Sequence, residues 1–187
     1  MTILADAKLM LDLGATEAAS AASTDFDGRL ALIVAGVLAD AEDFIGVKFQ
    51  AGASIEELFD GGVSTLYLGY FNPSSVVVTE NGVVVSSDYY EIYSAFPASR
   101  ITLLYDRKFR KGNRNVKVAY TGGYDEDVIP VALRSKLLKQ ITYEFRRRRD
   151  PGLSSVSFPD GSVNKFAIGE WLPDVEKTLE RLRRIAL

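Results

Sequence analysis

The chain has no cysteine and no histidine among its 187 residues. Without cysteine there can be no disulfide and no thiolate metal site. Without histidine the usual general base near neutral pH is missing, along with the commonest metal ligand. Neither a Ser-His-Asp nor a Cys-His constellation can therefore be assembled. Phosphate-cradling loops are absent too, because Gly61-Gly62 and Gly122-Gly123 fit neither GxGxxG nor GxxxxGKS/T. The opening residues, MTILADAKLMLDLG, lack the basic and continuous apolar regions of a secretory leader. No apolar run is long enough to span a bilayer. Adjacent carboxylates rarely converge on one ion, so Asp125, Glu126 and Asp127 read as charge ahead of a helix rather than as a metal site. These absences point to a protein that is not an enzyme, needs no cofactor and contacts no membrane.

What is present is ordinary in amount and uneven in placement. Apolar residues make up 47% and charged residues 25% of the chain, which suits one soluble domain with a core of its own. The first 99 residues carry 3 basic and 14 acidic side chains, and the remaining 88 carry 19 and 11. Such polarity suits head-to-tail complementarity between copies, or one basic face turned to an acidic partner. A surface on which the two halves mix and cancel fits the same numbers.

Periodicity divides the chain into three parts. Residues 1–62 read as N-terminal helices. Thr2 caps a short helix ending near Leu13, with Gly14 at C′. Gly14 to Asp25 is a small, polar linker. A longer helix over Asp25–Val47 carries Phe26, Leu30, Ile33, Val37, Ala41 and Phe44 on one stripe. Gly36 within it predicts a close backbone approach. Residues 63–121 form an antiparallel β insertion with runs at Thr65–Tyr70, Ser74–Glu80, Gly82–Ser87, Tyr89–Phe96, Arg100–Tyr105 and Asn115–Tyr120. Asn81-Gly82 predicts a type I′ hairpin. Residues 122–187 return to helix. Pro130 opens one with Leu133, Leu137, Leu138, Ile141 and Phe145 on its apolar side, and Pro151 limits it. A loop over Leu153–Glu170 leads to a last helix, Pro173–Ile185. The fold class is α+β, a bundle of about four helices with an inserted antiparallel β module.

The run Arg146, Arg147, Arg148 and Arg149 stands at the end of the Pro130 helix. Successive helical residues step by about 100°, so the four cannot share a face as a groove-reading helix would require. They form a collar that stabilises a helix C-terminus, or one that meets phosphate or a neighbour's acidic surface. Both readings stay open. Tyr67, Tyr70, Phe71, Tyr89, Tyr90, Tyr93 and Phe96 could stack bases, yet residues 65–96 carry only acidic charges. Sheet core and protein interface explain them better.

The order of features resembles the head–tail connector (adaptor, or head-completion) proteins of tailed bacteriophages and prophages. The resemblance rests on LADAK, then FDGRLALIVAGVLADAEDFIGVKF, then VKVAYTGGYDEDVIPVALRSKLLKQITYEFRRRRDPG, then WLPDVEKTLERLRR. Within these, Tyr120, Gly122, Gly123 and Tyr124 form the turn after a strand, and Ile129-Pro130 starts the following helix. The resemblance implies a structural protein of the virion, at the head–tail junction and made in the bacterial host cytoplasm. It implies a self-assembled ring, a dodecamer, seated on the portal protein and extending the channel through which DNA passes. A neck, stopper or tail-completion protein docks on the far side, and DNA is met only transiently and without sequence preference. Candidate interface or channel contacts are Arg146, Arg147, Arg148, Arg149, Arg181, Arg183 and Arg184 on the basic side. Asp40, Glu42 and Asp43, or else Glu56 and Glu57, supply the acidic side. Another neck or tail-terminator component is the alternative, followed by a nucleic-acid-binding module using Arg107 to Lys117 and the arginine run.

Overall fold

Strand β7, Val116–Gly122, reads VKVAYTG and buries every second residue. That alternation is what a strand buried on one face requires. In the computed structural model, β7 is central to a four-stranded antiparallel sheet. Its neighbours are β1 (Gly52–Phe59) on one side and β3 (Ser74–Glu80) on the other, and β4 (Val83–Val84) lies beyond β3. A second sheet orders β2 (Thr65–Tyr67), β6 (Arg100–Leu103) and β5 (Tyr90–Tyr93). Strands β8 (Ser155–Ser157) and β9 (Val163–Lys165) pair separately. The helices are α1 (Ile3–Met10), α2 (Ala21–Ile45), α3 (Val131–Arg147) and α4 (Pro173–Leu182). The α+β class expected from the sequence is the class observed. The structure describes residues 2–11, 21–94, 99–125, 128–147, 155–157, 163–165 and 171–183. No helix among them is long and apolar enough to cross a membrane.

The chain divides into two compact units, Met1–Ala41 with Pro130–Arg181, and Glu42–Ile129 with Leu182–Leu187. In the first unit, α3 buries Leu133, Leu137, Leu138, Ile141 and Phe145, the stripe read from its periodicity. Thr2 caps α1 as expected, its Oγ1 accepting from Ala5 N at 3.2 Å. Arg134 fastens α1 to α3, donating from Nε and Nη2 to Asp6 Oδ2 at 2.8 and 2.6 Å. Gln140 is buried, and its Oε1 takes the N–H of Leu172 just ahead of α4. Asp174 in the first turn of α4 receives Lys139 Nζ at 2.7 Å and Lys136 Nζ at 3.0 Å.

In the second unit both sheets feed one core. It contains Leu66, Val78, Tyr90, Ile101, Leu103, Val116, Val118 and Tyr120 from the strands, with Leu68 and Phe109 from loops. Asn81 and Gly82 lie at φ 49° and 79° between the paired Glu80 and Val83, as the type I′ turn requires. Both strands beside β7 carry a one-residue bulge facing the same stretch, with Ser54 and Ser75 in the left-handed region.

Four local readings need correction. Helix α2 begins at Ala21, inside the span expected to be linker. Gly36 is exposed, and a Cβ there would meet nothing within 4 Å, so it marks no close approach. Residues 52–59, read as part of the N-terminal helices, form β1. Its inward positions are Ile55, Glu57 and Phe59, and the central glutamate breaks the apolar alternation that would have announced a strand. The span read as a loop before α4 holds β8 and β9, each three residues long and too short to show a period. Gly14, Phe96, Glu126, Asp127 and Pro151 lie outside the described residues.

Glu42 opens the second unit and fixes its first turn. Its carboxylate is buried, and Oε1 accepts from Phe49 N at 2.9 Å and Gln50 N at 2.8 Å while Lys48 Nζ stands 3.3 Å from Oε2. Replacing Glu42 by Ala leaves two backbone donors unpaired and should cost about 2–4 kcal/mol, read as a lowered urea midpoint. Glu42→Gln keeps an acceptor oxygen and should lose less.

A second prediction follows from Asp174. Hydrogen bonds from Lys139 and then Lys136 hold its carboxyl down to about 2, from an ordinary 3.8. A depressed carboxylate stabilises fully above its unfolded value and loses that contribution as pH falls toward the folded one. The wild type should therefore lose stability relative to Asp174→Asn between about pH 4 and pH 2. The groups are partly exposed, so added salt should shrink the difference in urea midpoints.

Candidate functional site

The residues singled out from the sequence occupy unlike environments. Asp40 and Asp43 are exposed on α2, and Asp43 Oδ1 lies 3.5 Å from Lys48 Nζ. Glu42 differs from both, because its buried carboxylate is consumed by backbone donors and offers no surface to a partner. Glu56 is exposed and paired to Lys117 at 3.1 Å. Glu57 faces inward, where its Oε1 receives the Tyr120 hydroxyl at 2.7 Å and Gly69 N at 3.0 Å. Burial first, and then this carboxylate, push the Tyr120 phenol well above its ordinary pKa.

Arg146 is exposed in the last turn of α3, whereas Arg147 is half-buried with its guanidinium 5.9 Å from the Tyr143 ring centre. Arg181 is exposed on α4. Arg183, exposed just past it, stands 5.5 Å over the Phe44 ring. Arg148, Arg149 and Arg184 lie outside the described residues.

The aromatics also separate. Phe71 and Tyr90 are core, and Tyr90 donates to Val76 O at 3.2 Å. Tyr67, Tyr89 and Tyr93 are exposed. Arg107 covers the Tyr89 ring at 4.0 Å and Arg100 covers Tyr93 at 4.5 Å. Two of these three rings thus carry a guanidinium where a base would have to stack.

The two ends of β7 differ in chemistry. At the Gly122 end lies an open cleft of about 420 Å³ lined by Gly52, Asn72, Ser74, Thr121, Tyr124 and Asp125, among others. Its polar groups are hydroxyls, amides and one carboxylate, and its lining holds no nucleophile–base pair. At the Val116 end three loops converge, following β1 (Asp60–Gly62), joining β3 to β4 (Asn81–Gly82), and joining β6 to β7 (Leu104–Asn115).

Asn115 ties these loops together. Its Oδ1 accepts from Gly61 N at 2.9 Å, its Nδ2 donates to Arg110 O at 2.8 Å, and its carbonyl accepts from Asn81 N at 2.9 Å. Glu80 Oε1 takes Arg110 N at 2.5 Å and Asp60 Oδ1 takes Arg114 N at 2.6 Å. Phe109 is buried and pinned by backbone bonds to Val63 O and from Gly62 N. Gly61 fits because it lacks a side chain, as a Cβ there would fall 1.9 Å from Arg110 O. The backbone of a loop of five basic residues is thereby fixed. Lys108, Arg110, Lys111 and Arg114 are exposed, and no carboxylate among the described residues pairs with them. The sequence shows the charges; it gives no signal of the Asn115 contacts that hold them.

No protein-family model matches the chain, and no curated protein matches its sequence. Solved structures share its fold. A chain in the neck of an empty gene transfer agent (GTA) particle, computed with C6 symmetry, aligns with 98% of this chain and 90% of its own at 16% identity and a TM-score of 0.63. A chain in the virion of the native GTA particle aligns with 86% and 79% at 14% identity and 0.57. A chain in the neck of the native GTA particle, computed with C12 symmetry, aligns with 85% and 84% at 14% identity and 0.57. These likenesses establish the fold.

Asn115→Ala should free the three loops and cost about 1–3 kcal/mol, seen as a lower urea midpoint and faster amide exchange at Gly61 and Arg110. Gly61→Ala should act in the same direction through the carbonyl clash, and a melting curve unchanged in both variants would contradict this account of the loop.

Proposed function

We propose that this protein is a structural component of the neck of a phage-like particle, a head–tail connector that forms a ring on the portal. The observation that carries the reading is the shared fold with a chain from a GTA particle neck, over nearly the whole of both chains. The order of motifs from LADAK to WLPDVEKTLERLRR supports it independently of coordinates. In this role the protein extends the DNA channel below the portal and offers its far side to a stopper or tail-completion protein. Its chemistry is that of surfaces, and it has no catalytic task. Its place is the head–tail junction of the particle.

A closed ring needs heterologous contacts, in which one surface meets a different one on the next copy. The chain's division into an acidic first half and a basic second half suits that demand. Of the candidate contacts, the exposed Asp40 and Asp43 form the acidic side, and the exposed Arg146, Arg181 and Arg183 form the basic one. Arg148, Arg149 and Arg184 belong to the same basic set by sequence.

Mixing the chain with the portal protein of its own particle should give coaxial rings in negative stain. Double reversal of Arg146 and Arg181 to Glu should stop ring formation, measured by sedimentation, while circular dichroism stays that of the folded chain. Reversing Asp40 and Asp43 to Lys in the same molecule should restore part of the assembly. Rings that cap isolated tails and ignore the portal would instead identify a tail-terminator component.

A further inference from the structure

The loop joining β6 to β7 holds Arg107, Lys108, Arg110, Lys111 and Arg114 within eight residues. Arg107 lies against Tyr89. The other four are exposed and pair with no carboxylate among the described residues. Two nearby acids, Glu80 and Asp60, each accept a backbone N–H of this loop. A third, Asp106, is exposed. The three reduce the local positive charge without neutralising it. Tyr105, Asp106 and Arg114 are held at φ 58°, 53° and 47°, left-handed backbone that costs non-glycine residues energy and persists where surrounding bonds enforce it. The result is a preorganised array of cations.

Two macromolecular partners could take such an array, an acidic protein face or a nucleic-acid backbone. A stable protein interface is built around a desolvated apolar anchor and is depleted in lysine. The apolar side chain at the middle of this loop, Phe109, is turned into the core and unavailable. On the loop itself what remains outside is point charge at short spacing, with Tyr105 the exposed aromatic at its edge, and the neighbouring Val63, Val83 and Val84 are small exposed side chains rather than a desolvated anchor. That composition contacts phosphates and reads no bases. We infer that the β6–β7 loop is a sequence-independent contact site for the phosphate backbone of duplex DNA, weak in one copy and multiplied where copies are arrayed. The inference stands on the single chain and does not depend on ring assembly.

The test is fluorescence anisotropy of the full chain with two labelled duplexes of unrelated sequence, each about 20 base pairs. Equal, weak affinities are expected for the two. Between about 50 and 200 mM salt the affinity should fall by about a hundredfold, the dependence of roughly four phosphate contacts. Arg110→Glu with Lys111→Glu should remove at least nine-tenths of the binding at low salt. Lys108→Gln with Lys111→Gln, which adds no repulsion, should lower the affinity severalfold and flatten the salt dependence by about two contacts. Arg146→Glu, in the other compact unit, should change neither. The side chains of Lys108, Arg110 and Lys111 make no hydrogen bond or ion pair among the described residues, so urea midpoints should match the wild type. Duplex binding unchanged in both loop variants would overturn the inference. So would loop variants that bind DNA normally and fail only to associate with one another, since that outcome assigns the loop to an acidic protein face. A loop variant that still forms rings with portal supports the DNA assignment. If the wild type forms no ring yet binds DNA through this loop, the neck reading falls and the inference remains.

Discussion

The amide of Asn115 is the contact on which the exposed chemistry of the β-rich unit depends. One side chain accepts from Gly61 and donates to Arg110, and the same residue's carbonyl receives Asn81. Three loops from different parts of the chain are thereby closed at one end of β7. An amide is suited to the task because it offers a donor and an acceptor on a short stem. Aspartate would keep only the acceptor and leucine neither. Gly61 completes the arrangement by leaving room for the Arg110 carbonyl. The consequence is electrostatic. A loop of lysines and arginines would ordinarily spread its charge over many conformations, whereas here hydrogen bonds at Phe109, Arg110, Arg114 and Asn115 tie its backbone down.

Carboxylates recur in this unit as fasteners for the backbone. Glu42, Glu57, Glu80 and Asp60 each accept at least one main-chain N–H. Their use as acceptors explains how a half with so many acidic residues supports a sheet core. It also changes how its charge is to be counted. Glu42 and Glu57 are committed inside the unit, so its exposed acidic surface is smaller than composition suggests and is carried by side chains such as Asp43, Glu56, Asp88 and Glu91.

Legibility followed sequence distance. The stripe of α3 and the hairpin at Asn81-Gly82 could be read because their causes lie within a few residues: a period near 3.6, and two residues that tolerate positive φ. Strand β7 was visible because burial on one face enforces alternation. Strand β1 was hidden because Glu57 occupies an inward position, satisfied by Tyr120 from 63 residues away. Asn115 was hidden for the same reason, since Gly61 lies 54 residues before it. Gly36 misled in the opposite sense, as a helical glycine that meets open space. Of the candidate contacts, the sequence could supply charge and helix position but not burial, which separates Glu42 from Asp43 and Arg147 from Arg146.

Together, the proposed neck role and the inferred DNA contact describe a protein that builds a passage and touches what moves through it. Electron cryomicroscopy of the neck of the intact particle that carries this chain tests that account most directly. The account predicts a closed ring of this chain between portal and tail, with residues 107–114 on the lumen side within reach of DNA density. A neck without this chain, or a ring that turns those residues to its outer wall, would contradict it.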